Sequence, residues 1–186
     1  MSHQYKREKD LIPHYDNHLE YYSPLQESSY FKYMCDELGV DLNKINSVLD
    51  LGCGDGRLCG SISPETYYMG VDYSQKRIEK ATNNYPDRDF QVSCVHHLCD
   101  NQVRDYDLVV ITEVLEHIES PHKVIKQLLS YNKATQIIAT VPINLPYVAH
   151  LSVWKTEEDV KKDLDPDVIK VDKQHGAKHF LCGWGV

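Results

Sequence analysis

The sequence predicts one α/β domain built around a mostly parallel sheet, with an antiparallel hairpin at its C-terminal end. Two observations lead to this fold class. From Ile45 onward, short apolar runs alternate with helical or polar segments, and most of these runs are continuous. Continuous apolar strands are buried on both faces, which is typical of parallel sheets covered by helices. The length of 186 residues suits a single domain with a sizeable core.

The expected elements follow one another in a regular order. Strands are expected at 47–52, 67–72, 89–94, 106–113 and 136–142, and two closing strands at 167–174 and 178–186, joined at His175-Gly176. Helices are expected at 56–62, at 74–84, at 120–131 with Val124, Ile125, Leu128 and Leu129 inward, and from Thr156 to just before Pro166. This alternation is typical of a Rossmann-like, doubly wound sheet.

The N-terminal part is expected to form a lid and a helix of the same single domain, residues 1–186, ahead of its cofactor-binding core. Residues 1–44 are interpreted as a lid and one helix, and residues 45–186 as the α/β core. Ser23 and Pro24 supply an N-cap and a first-turn proline, and Gly39 supplies a C-terminal stop. The apolar side of this helix is expected to carry Leu25, Tyr30, Met34 and Leu38.

Composition excludes several classes of protein. A formal net charge of -8 argues against a protein that grips a nucleic-acid backbone by charge alone. No apolar run approaches the ~20 residues that span a bilayer, and the start MSHQYKREKD has no apolar signal core, so a cytoplasmic protein is expected. The cysteines form no CxxC pair, so reduced thiols are expected rather than a zinc or dithiol site; they are Cys35, Cys53, Cys59, Cys94, Cys99 and Cys182.

The stretch VLDLGCGDGRL, residues 48–58, places glycines at alternate positions directly after an apolar run. A strand followed by a glycine-rich turn and a helix brings backbone N–H groups to the carboxyl edge of a sheet, where nucleotide-like ligands bind. A phosphate-binding P-loop requires a lysine that is missing here, and a dinucleotide fingerprint requires glycine where Arg57 stands. The actual pattern is an acidic residue followed by GxGxG.

This pattern resembles the cofactor loop of class I S-adenosylmethionine-dependent methyltransferases, and the resemblance extends from about residue 48 to residue 165. It implies that Asp50 faces the amino group of the cofactor and that Gly52, Cys53 and Gly54 provide a close backbone. The chemistry agrees, because this ligand is cationic at its amine and its sulfonium and has no pyrophosphate. Carboxylates should therefore replace phosphate-binding basic groups.

Further candidate cofactor contacts follow the next strands. Asp72 closes the second strand at the spacing where an acidic residue accepts the ribose hydroxyls, although taken alone it also fits a helix cap. Tyr73 could cover one face of the adenine. Many relatives carry an aspartate after the third strand, whereas here Cys94 stands in that place, so Ser93, Cys94 or nearby backbone is expected to contact the adenine. Thr112, at the end of the fourth strand, completes this set.

The stretch EVLEHIESP, residues 113–121, begins at the end of the fourth strand and resembles the E-x-x-E-H segment of a methyltransferase subset. That subset includes enzymes acting on quinone-ring hydroxyls, small metabolites and sugars, and also small-RNA 3'-terminal ribose 2'-O-methyltransferases. In the RNA group, two glutamates and two histidines bind a divalent metal. The resemblance thus implies Glu113, Glu116, His117 and His150 as candidate ligands of Mg2+ or Mn2+, which suits hard oxygens and imidazole.

The stretch HLSVWKTEEDV resembles the H-x-x-x-aromatic segment after the fifth strand of many relatives, which places His150 near His117. Two mechanisms stay open for the catalytic set of His117, His150 and Glu113. A histidine removes a proton from an acceptor hydroxyl as the oxygen attacks the methyl carbon, or a metal lowers the pKa of that hydroxyl. Alternatively, Glu116 and His117 could stabilise a turn, and Trp154 could pack in the core.

Three function hypotheses follow. The first is an O-methyltransferase of a small molecule or saccharide, with Tyr15, Tyr21 and Tyr22 in a lid over the pocket. The second is a metal-assisted RNA ribose 2'-O-methyltransferase, favoured by the E-x-x-E-H match and disfavoured by the acidic charge. The third is a non-catalytic methyltransferase fold that binds the cofactor or a partner. It is motivated by Cys94 and by YNKATQ where relatives have proline and glycines before the fifth strand.

Overall fold

The computed structural model describes residues 28–95, 106–131, 136–147 and 149–186. The helices are α1 (Ser28–Leu38), α2 (Gln75–Asn84), α3 (Pro121–Tyr131) and α4 (Glu157–Leu164). The strands are β1 (Ser47–Leu51), β2 (Tyr67–Asp72), β3 (Asp89–Val92), β4 (Leu108–Thr112), β5 (Gln136–Pro142), β6 (Val168–Val171) and β7 (His179–Trp184). Short 3-10 helices lie at Leu42–Lys44, Arg57–Ser61 and Leu115–His117. Among the described residues, none of the helices has the length and apolar character that crossing a membrane requires.

The strands form one seven-stranded sheet in the order β3-β2-β1-β4-β5-β7-β6. Strands β1 to β5 pair in parallel, and β7 pairs antiparallel with both β5 and β6. The strand order reverses between β1 and β4, so the loops that follow these two strands diverge and leave a crevice at the carboxyl edge. The α/β fold class, with its C-terminal antiparallel hairpin, is confirmed.

Helices cover both faces of the sheet, and each face has its own apolar cluster. Helix α1 packs on one face, where the buried residues include Tyr30, Met34, Leu38, Val48, Val110 and Leu181. Helices α3 and α4 pack on the other face, where they include Leu49, Val109, Ile125, Leu128, Val160 and Phe180. Neighbouring residues of a strand alternate between the two clusters because successive side chains point to opposite faces.

Some predicted boundaries differ from the structure for identifiable reasons. The predicted fourth strand ends at Thr112 because Glu113 has a left-handed φ of 56°, which a strand does not accommodate. The predicted helix at 56–62 is a 3-10 helix, held by i to i+3 bonds such as the one from Cys59 N–H to Gly56 O. The predicted lid tyrosines, the Ser23-Pro24 cap and Leu25 lie outside the described residues.

Gly70, in the middle of β2, has no Cβ and so leaves room for the side chains that pack behind the glycine loop. A Cβ at this position would lie 2.6 Å from Phe90 Cδ1 and 3.0 Å from Cys53 Sγ. We expect Gly70→Ala to lower the free energy of unfolding by about 1–3 kcal/mol, because the extra methyl group overpacks this contact. Urea denaturation measures the effect.

Phe90→Leu provides the matched test of that cause. Since leucine leaves more room, the Gly70→Ala/Phe90→Leu double variant should be more stable than the sum of the two single effects predicts. Strictly additive effects would show that the clash with Phe90 is not the reason for the loss.

Candidate active site

The backbone of the loop after β1 requires glycine at three positions, and the sequence has glycine at each of them. Gly52, Gly54 and Gly56 have φ values of 79°, 55° and 81°, in the left-handed region that glycine adopts without strain. The backbone N–H groups of Gly52 and Cys53 donate to the carbonyl oxygen of Val71, at 2.7 and 3.0 Å, and tie the loop to the end of β2. The loop backbone is thereby fixed at the carboxyl edge of the sheet.

Asp50 lies in β1 directly before this loop and is buried. Its Oδ2 accepts a hydrogen bond of 2.7 Å from the Tyr68 hydroxyl, whereas its buried Oδ1 has no hydrogen-bond partner among the described residues. Burial raises the pKa of Asp50 to about 7, the Tyr68 bond opposes that rise, and the charge of Asp72 adds to it. The structure thus places at this position a carboxyl group with one acceptor oxygen unused.

Asp72 connects the glycine loop to the start of α2. Its Oδ2 accepts from Gly54 N–H at 3.1 Å and its Oδ1 from Ser74 N–H at 2.9 Å. Burial raises the pKa of Asp72, and the hydrogen bond from Ser74 opposes that rise. The side chain that caps α2 is Ser74, whose Oγ accepts from Arg77 N–H. The helix-cap alternative for Asp72 therefore does not explain its position, because Ser74 performs that role.

The other predicted cofactor residues lie along the same edge. Ser93 donates its N–H to the carbonyl oxygen of Asp72 at 3.0 Å, and Ser93 and Cys94 are both half-buried after β3. Tyr73 is half-buried beside Asp72, and Thr112 is buried at the end of β4. Because parallel strands end at the same edge, the structure brings these residues into one row across β3, β2, β1 and β4.

Three polar side chains come together after β4, on the 3-10 helix Leu115–His117 and the segment that follows β5. One ligand atom from each of Glu116, His117 and His150 lies within 4.8 Å of the other two. The carbonyl oxygen of Glu116 accepts from Leu151 N–H and Ser152 N–H, at 2.6 and 3.1 Å. These bonds draw the segment that carries His150 onto the turn that carries Glu116 and His117. We call these three residues the Glu116 cluster.

The two histidines of the Glu116 cluster have the same hydrogen-bond arrangement. His117 Nδ1 lies 2.9 Å from Ala149 O, and His150 Nδ1 lies 2.8 Å from Leu145 O. A carbonyl oxygen accepts only, so Nδ1 is the donor in both contacts, and in the tautomer that these contacts require Nε2 is the basic atom. His117 Nε2 lies 3.6 Å from Glu116 Oε1, and the two rings are 4.9 Å apart.

Glu116 is the member of its cluster whose burial is least offset by hydrogen bonds. Its side chain is 1% exposed, and neither carboxylate oxygen has a hydrogen-bond partner among the described residues. Burial raises the pKa of Glu116 well above its ordinary value, and the charge of Glu113 adds to the rise. A buried carboxylate beside two imidazoles fits a divalent cation chemically, since such an ion would supply the missing partner.

Glu113 is not part of this cluster. Its backbone N–H donates to Thr140 Oγ1 at 3.2 Å, and the Thr140 hydroxyl donates to Glu113 Oε1 at 3.2 Å. His179 Nε2 lies 3.5 Å from the same carboxylate oxygen. Of the four predicted metal ligands, three come together and Glu113 faces β5 and β7 instead. Trp154 is buried in the core and donates to Asp163 at 2.9 Å, as in the core alternative.

Sequence reasoning missed Thr140, His179 and the buried Asp172. Thr140 lies within an apolar run and was expected only as part of a strand. His179 reaches Glu113 because β7 lies antiparallel beside β5, with His179 opposite Pro142. No local pattern in the sequence indicates that pairing.

Comparison with known proteins gives an independent line of information. The family described as "Methyltransferase domain" matches residues 42–181. The chain belongs to this methyltransferase family. The methyltransferase domain is 26% identical over 154 residues to a ubiquinone biosynthesis O-methyltransferase of Rickettsia typhi. That match covers 74% of this chain and 63% of the relative, so the chain spans less than two thirds of that protein's length.

Solved structures of methyltransferases share the fold. An S-adenosylmethionine-dependent methyltransferase from Clostridium acetobutylicum superposes with a TM-score of 0.64 at 15% identity, covering 94% of this chain and 97% of that one. Magnesium protoporphyrin IX methyltransferase from Synechocystis, with S-adenosylmethionine bound, gives a TM-score of 0.64 at 15% identity and covers 98% and 96%. These likenesses confirm the Rossmann-like fold of the methyltransferase domain.

The raised pKa of Asp50 predicts a pH-dependent stability. Because the folded-state pKa of about 7 exceeds the ordinary value of 3.8, the stabilising contribution of Asp50 is present at low pH and is lost as the pH rises through 7. Without ligand, the free energy of unfolding of the wild type should fall by about 1 to 3 kcal/mol between about pH 5 and about pH 8 because of Asp50. We expect Asp50→Asn to lack this decrease.

Thermal or urea denaturation across this pH range measures the difference. Asp72 and Glu116 are present in both proteins, so their titrations cancel in the comparison apart from the charge interaction between Asp50 and Asp72. Parallel pH curves for the two proteins would contradict the assignment of this effect to Asp50.

Proposed function

We propose that this domain is an S-adenosylmethionine-dependent O-methyltransferase that acts on a hydroxyl group of a small molecule or a saccharide. The observation that carries the proposal is the Glu116 cluster, in which a buried carboxylate and two imidazoles lie at the same sheet edge as the glycine loop. Membership of the methyltransferase family supports the reaction type. The O-methyltransferase name of the Rickettsia typhi relative supports a hydroxyl acceptor.

The glycine loop and two carboxyl groups form the proposed cofactor side. Asp50 offers its unused Oδ1 to the amino group, and its charge favours a cationic ligand. Asp72 accepts backbone N–H groups that include those of Gly54, Ser74 and Tyr73, and a carboxylate has about four acceptor positions, so it can also accept a ribose hydroxyl. When bound, the cofactor supplies a methyl group on a sulfonium leaving group, so alignment of the reactants does much of the catalytic work.

The Glu116 cluster forms the proposed acceptor side. With Nδ1 bonded to a carbonyl oxygen, His117 and His150 each present Nε2 as a base that can remove the proton of an acceptor hydroxyl. The nearby Glu116 carboxylate stabilises the imidazolium that results, because opposite charges attract strongly where water is excluded. The proton thus moves from the hydroxyl oxygen to an imidazole nitrogen as the oxygen becomes a better nucleophile.

The same three residues provide a second route to an activated hydroxyl. Glu116, His117 and His150 are the residues that would hold Mg2+ or Mn2+, and a bound cation would lower the pKa of a coordinated hydroxyl. The metal route requires Glu116 in its ionised form. Metal dependence of turnover distinguishes the routes, because a histidine base works in the presence of a chelator and a metal site does not.

RNA ribose 2'-O-methylation is the second candidate function, and the Glu116 cluster is the observation that favours it. The net charge of -8 disfavours a nucleic-acid backbone as the substrate. Parallel assays with a short duplex RNA and with a panel of phenols, catechols and sugars separate the two candidates. Methyl transfer to the RNA 3'-terminal ribose alone would replace our first proposal.

Cofactor binding is the first property to measure. We expect calorimetric titration with S-adenosylhomocysteine to show one site, and Asp72→Ala to weaken binding by at least about tenfold, because hydrogen bonds to a charged group are lost. Asp36→Ala is the matched control, since Asp36 pairs with Lys32 on the exposed side of α1. Absence of binding to the wild type would contradict the proposed function.

Substitutions in the Glu116 cluster should affect chemistry and leave cofactor affinity intact. We expect His117→Ala and His150→Ala each to reduce methyl transfer by about a hundredfold or more, as for loss of a general base or metal ligand. The affinity for S-adenosylhomocysteine should change by less than about twofold. His122→Ala is the control, because His122 is a partly exposed histidine on α3 that faces Asp163. Wild-type turnover in both cluster variants would remove the histidines from the catalytic set.

A direct metal titration tests the second route without an acceptor. If the cluster holds Mn2+, the wild type should bind the ion and Glu116→Gln should lose at least about tenfold in affinity. Binding should also release a proton, because burial raises the pKa of Glu116 and the metal takes the ionised form. Equal Mn2+ affinities in the two proteins would leave the histidine base as the mechanism.

A further inference from the structure

The glycine loop is costly to order, because glycine loses more conformational freedom on folding than any other residue. Residues 52–56 contain three glycines, and the two other residues are Cys53 and Asp55. Both are buried. Cys53 packs beside Gly70, whereas Asp55 carries a charge whose burial is unfavourable unless partners offset it. Asp55 is thus the one charged side chain within residues 52–56.

Asp55 forms ion pairs with two cationic side chains. Its carboxylate oxygens both accept from Arg57 Nε, at 3.2 and 3.1 Å, so this pair spans Gly56 with its left-handed φ of 81°. Lys80 Nζ, on α2, lies 3.4 Å from Asp55 Oδ2. The Asp55 side chain is 8% exposed and that of Lys80 34%, so water screens the second pair only in part.

Helix α2 contacts the same segment at two more points. Asn84 Nδ2, at the last residue of α2, donates to the Asp55 carbonyl oxygen at 3.4 Å. A Cβ at Gly56 would lie 3.1 Å from Ala81 Cβ, so the loop lies directly on the helix there. The beginning of α2 is joined to the loop separately, through the two hydrogen bonds to Asp72. We call the following four residues the Asp55 anchor: Asp55, Arg57, Lys80 and Asn84.

We propose that the Asp55 anchor consists of positioning residues that hold the glycine loop on α2 in the conformation that binds the cofactor. This inference rests on the proposed function, because it requires the cofactor to occupy the glycine loop. The Asp55 carboxylate is directed to Arg57 and Lys80, so its role is to fix the loop backbone. The affinity of a site falls in proportion to the fraction of molecules in the binding conformation. Loss of the anchor should therefore weaken cofactor binding without removing a ligand contact.

Calorimetric titration with S-adenosylhomocysteine tests this role. We expect Asp55→Ala to weaken binding by about three- to tenfold, because the loop without its ion pairs populates other conformations. Asp55→Asn keeps the shape and an acceptor oxygen, so it should bind more tightly than Asp55→Ala. Lys80→Met should weaken binding by about two- to threefold, since a partly exposed pair contributes less than a buried one. Lys76→Met is the control, because it removes an exposed lysine from the same helix.

A double variant shows whether Lys80 acts through Asp55. Lys80→Met should weaken binding in the wild-type background and have no further effect in the Asp55→Ala background. Additive losses would contradict the anchor, because they would mean that the two side chains act independently.

Nitrogen relaxation of single amides tests the positioning without a ligand. The N–H groups of Gly54 and Gly56 are hydrogen-bonded in the loop, and rigid backbone of this kind has order parameters of about 0.85. In Asp55→Ala the order parameters of these two amides should fall toward about 0.6, whereas that of Ile111 in β4 should stay unchanged. A general loss of stability would not produce this pattern, because relaxation reports on the folded molecules.

The outcomes are distinct when each variant is measured at a temperature where circular dichroism shows it folded. Wild-type affinity in both Asp55→Ala and Lys80→Met overturns the inference and leaves the cofactor site intact. If Asp55→Ala does not fold, the comparison of Lys80→Met with Lys76→Met gives the answer. If the wild type does not bind S-adenosylhomocysteine, the proposed function fails, and the relaxation experiment still decides whether Asp55 holds the loop.

Discussion

The candidate site depends on the burial of carboxyl groups at the carboxyl edge of the sheet. Such burial is unfavourable unless N–H or O–H groups donate to the oxygens. Asp50 receives the Tyr68 hydroxyl, Asp72 receives backbone N–H groups of the glycine loop and the start of α2, and Asp172 receives the Tyr30 hydroxyl with two N–H groups of its own turn. Glu116 receives no such donor among the described residues, so it is the carboxyl group most in need of a further partner. The proposed positive ligands of this edge, a sulfonium and a divalent cation, match that requirement.

Local sequence features predicted the part of the site whose residues meet because neighbouring parallel strands end at the same edge of the sheet. Alternating glycines after an apolar strand predicted a glycine-rich turn at the carboxyl edge of the sheet. The turn is there, and Gly52, Gly54 and Gly56 have left-handed φ values in it. The segment after β4 and the segment after β5 were expected to meet, and the carbonyl oxygen of Glu116 bonds to the chain just after His150. These features could be predicted because neighbouring parallel strands end together, whatever the details of packing.

The remaining features depend on contacts between distant parts of the chain. Glu113 was expected to join the other three ligand candidates, because it precedes Glu116 in the same short motif. Its direction is set instead by Thr140 on β5 and by His179 on β7, and the position of β7 between β5 and β6 cannot be inferred from the periodicity of either strand. Similarly, Asp172 has the sequence context of a surface turn, yet helix α1 and the hairpin enclose it completely.

The antiparallel register of β7 against β5 gives the C-terminal hairpin an importance beyond closing the sheet. His179 lies opposite Pro142, and Leu181 lies opposite Thr140 on the same face. Since side chains alternate between faces, an insertion or deletion of one residue that moved β7 by one position would turn His179 to the other face and replace it by Lys178 or Phe180. Length changes at residues 173–178 are thus constrained, even though most of these residues are exposed. None of the hydrogen bonds described joins them to the glycine loop or to the Glu116 cluster. Related chains that vary in this turn by single residues would be expected to lack the histidine contact and to hold the equivalent of Glu113 by other means.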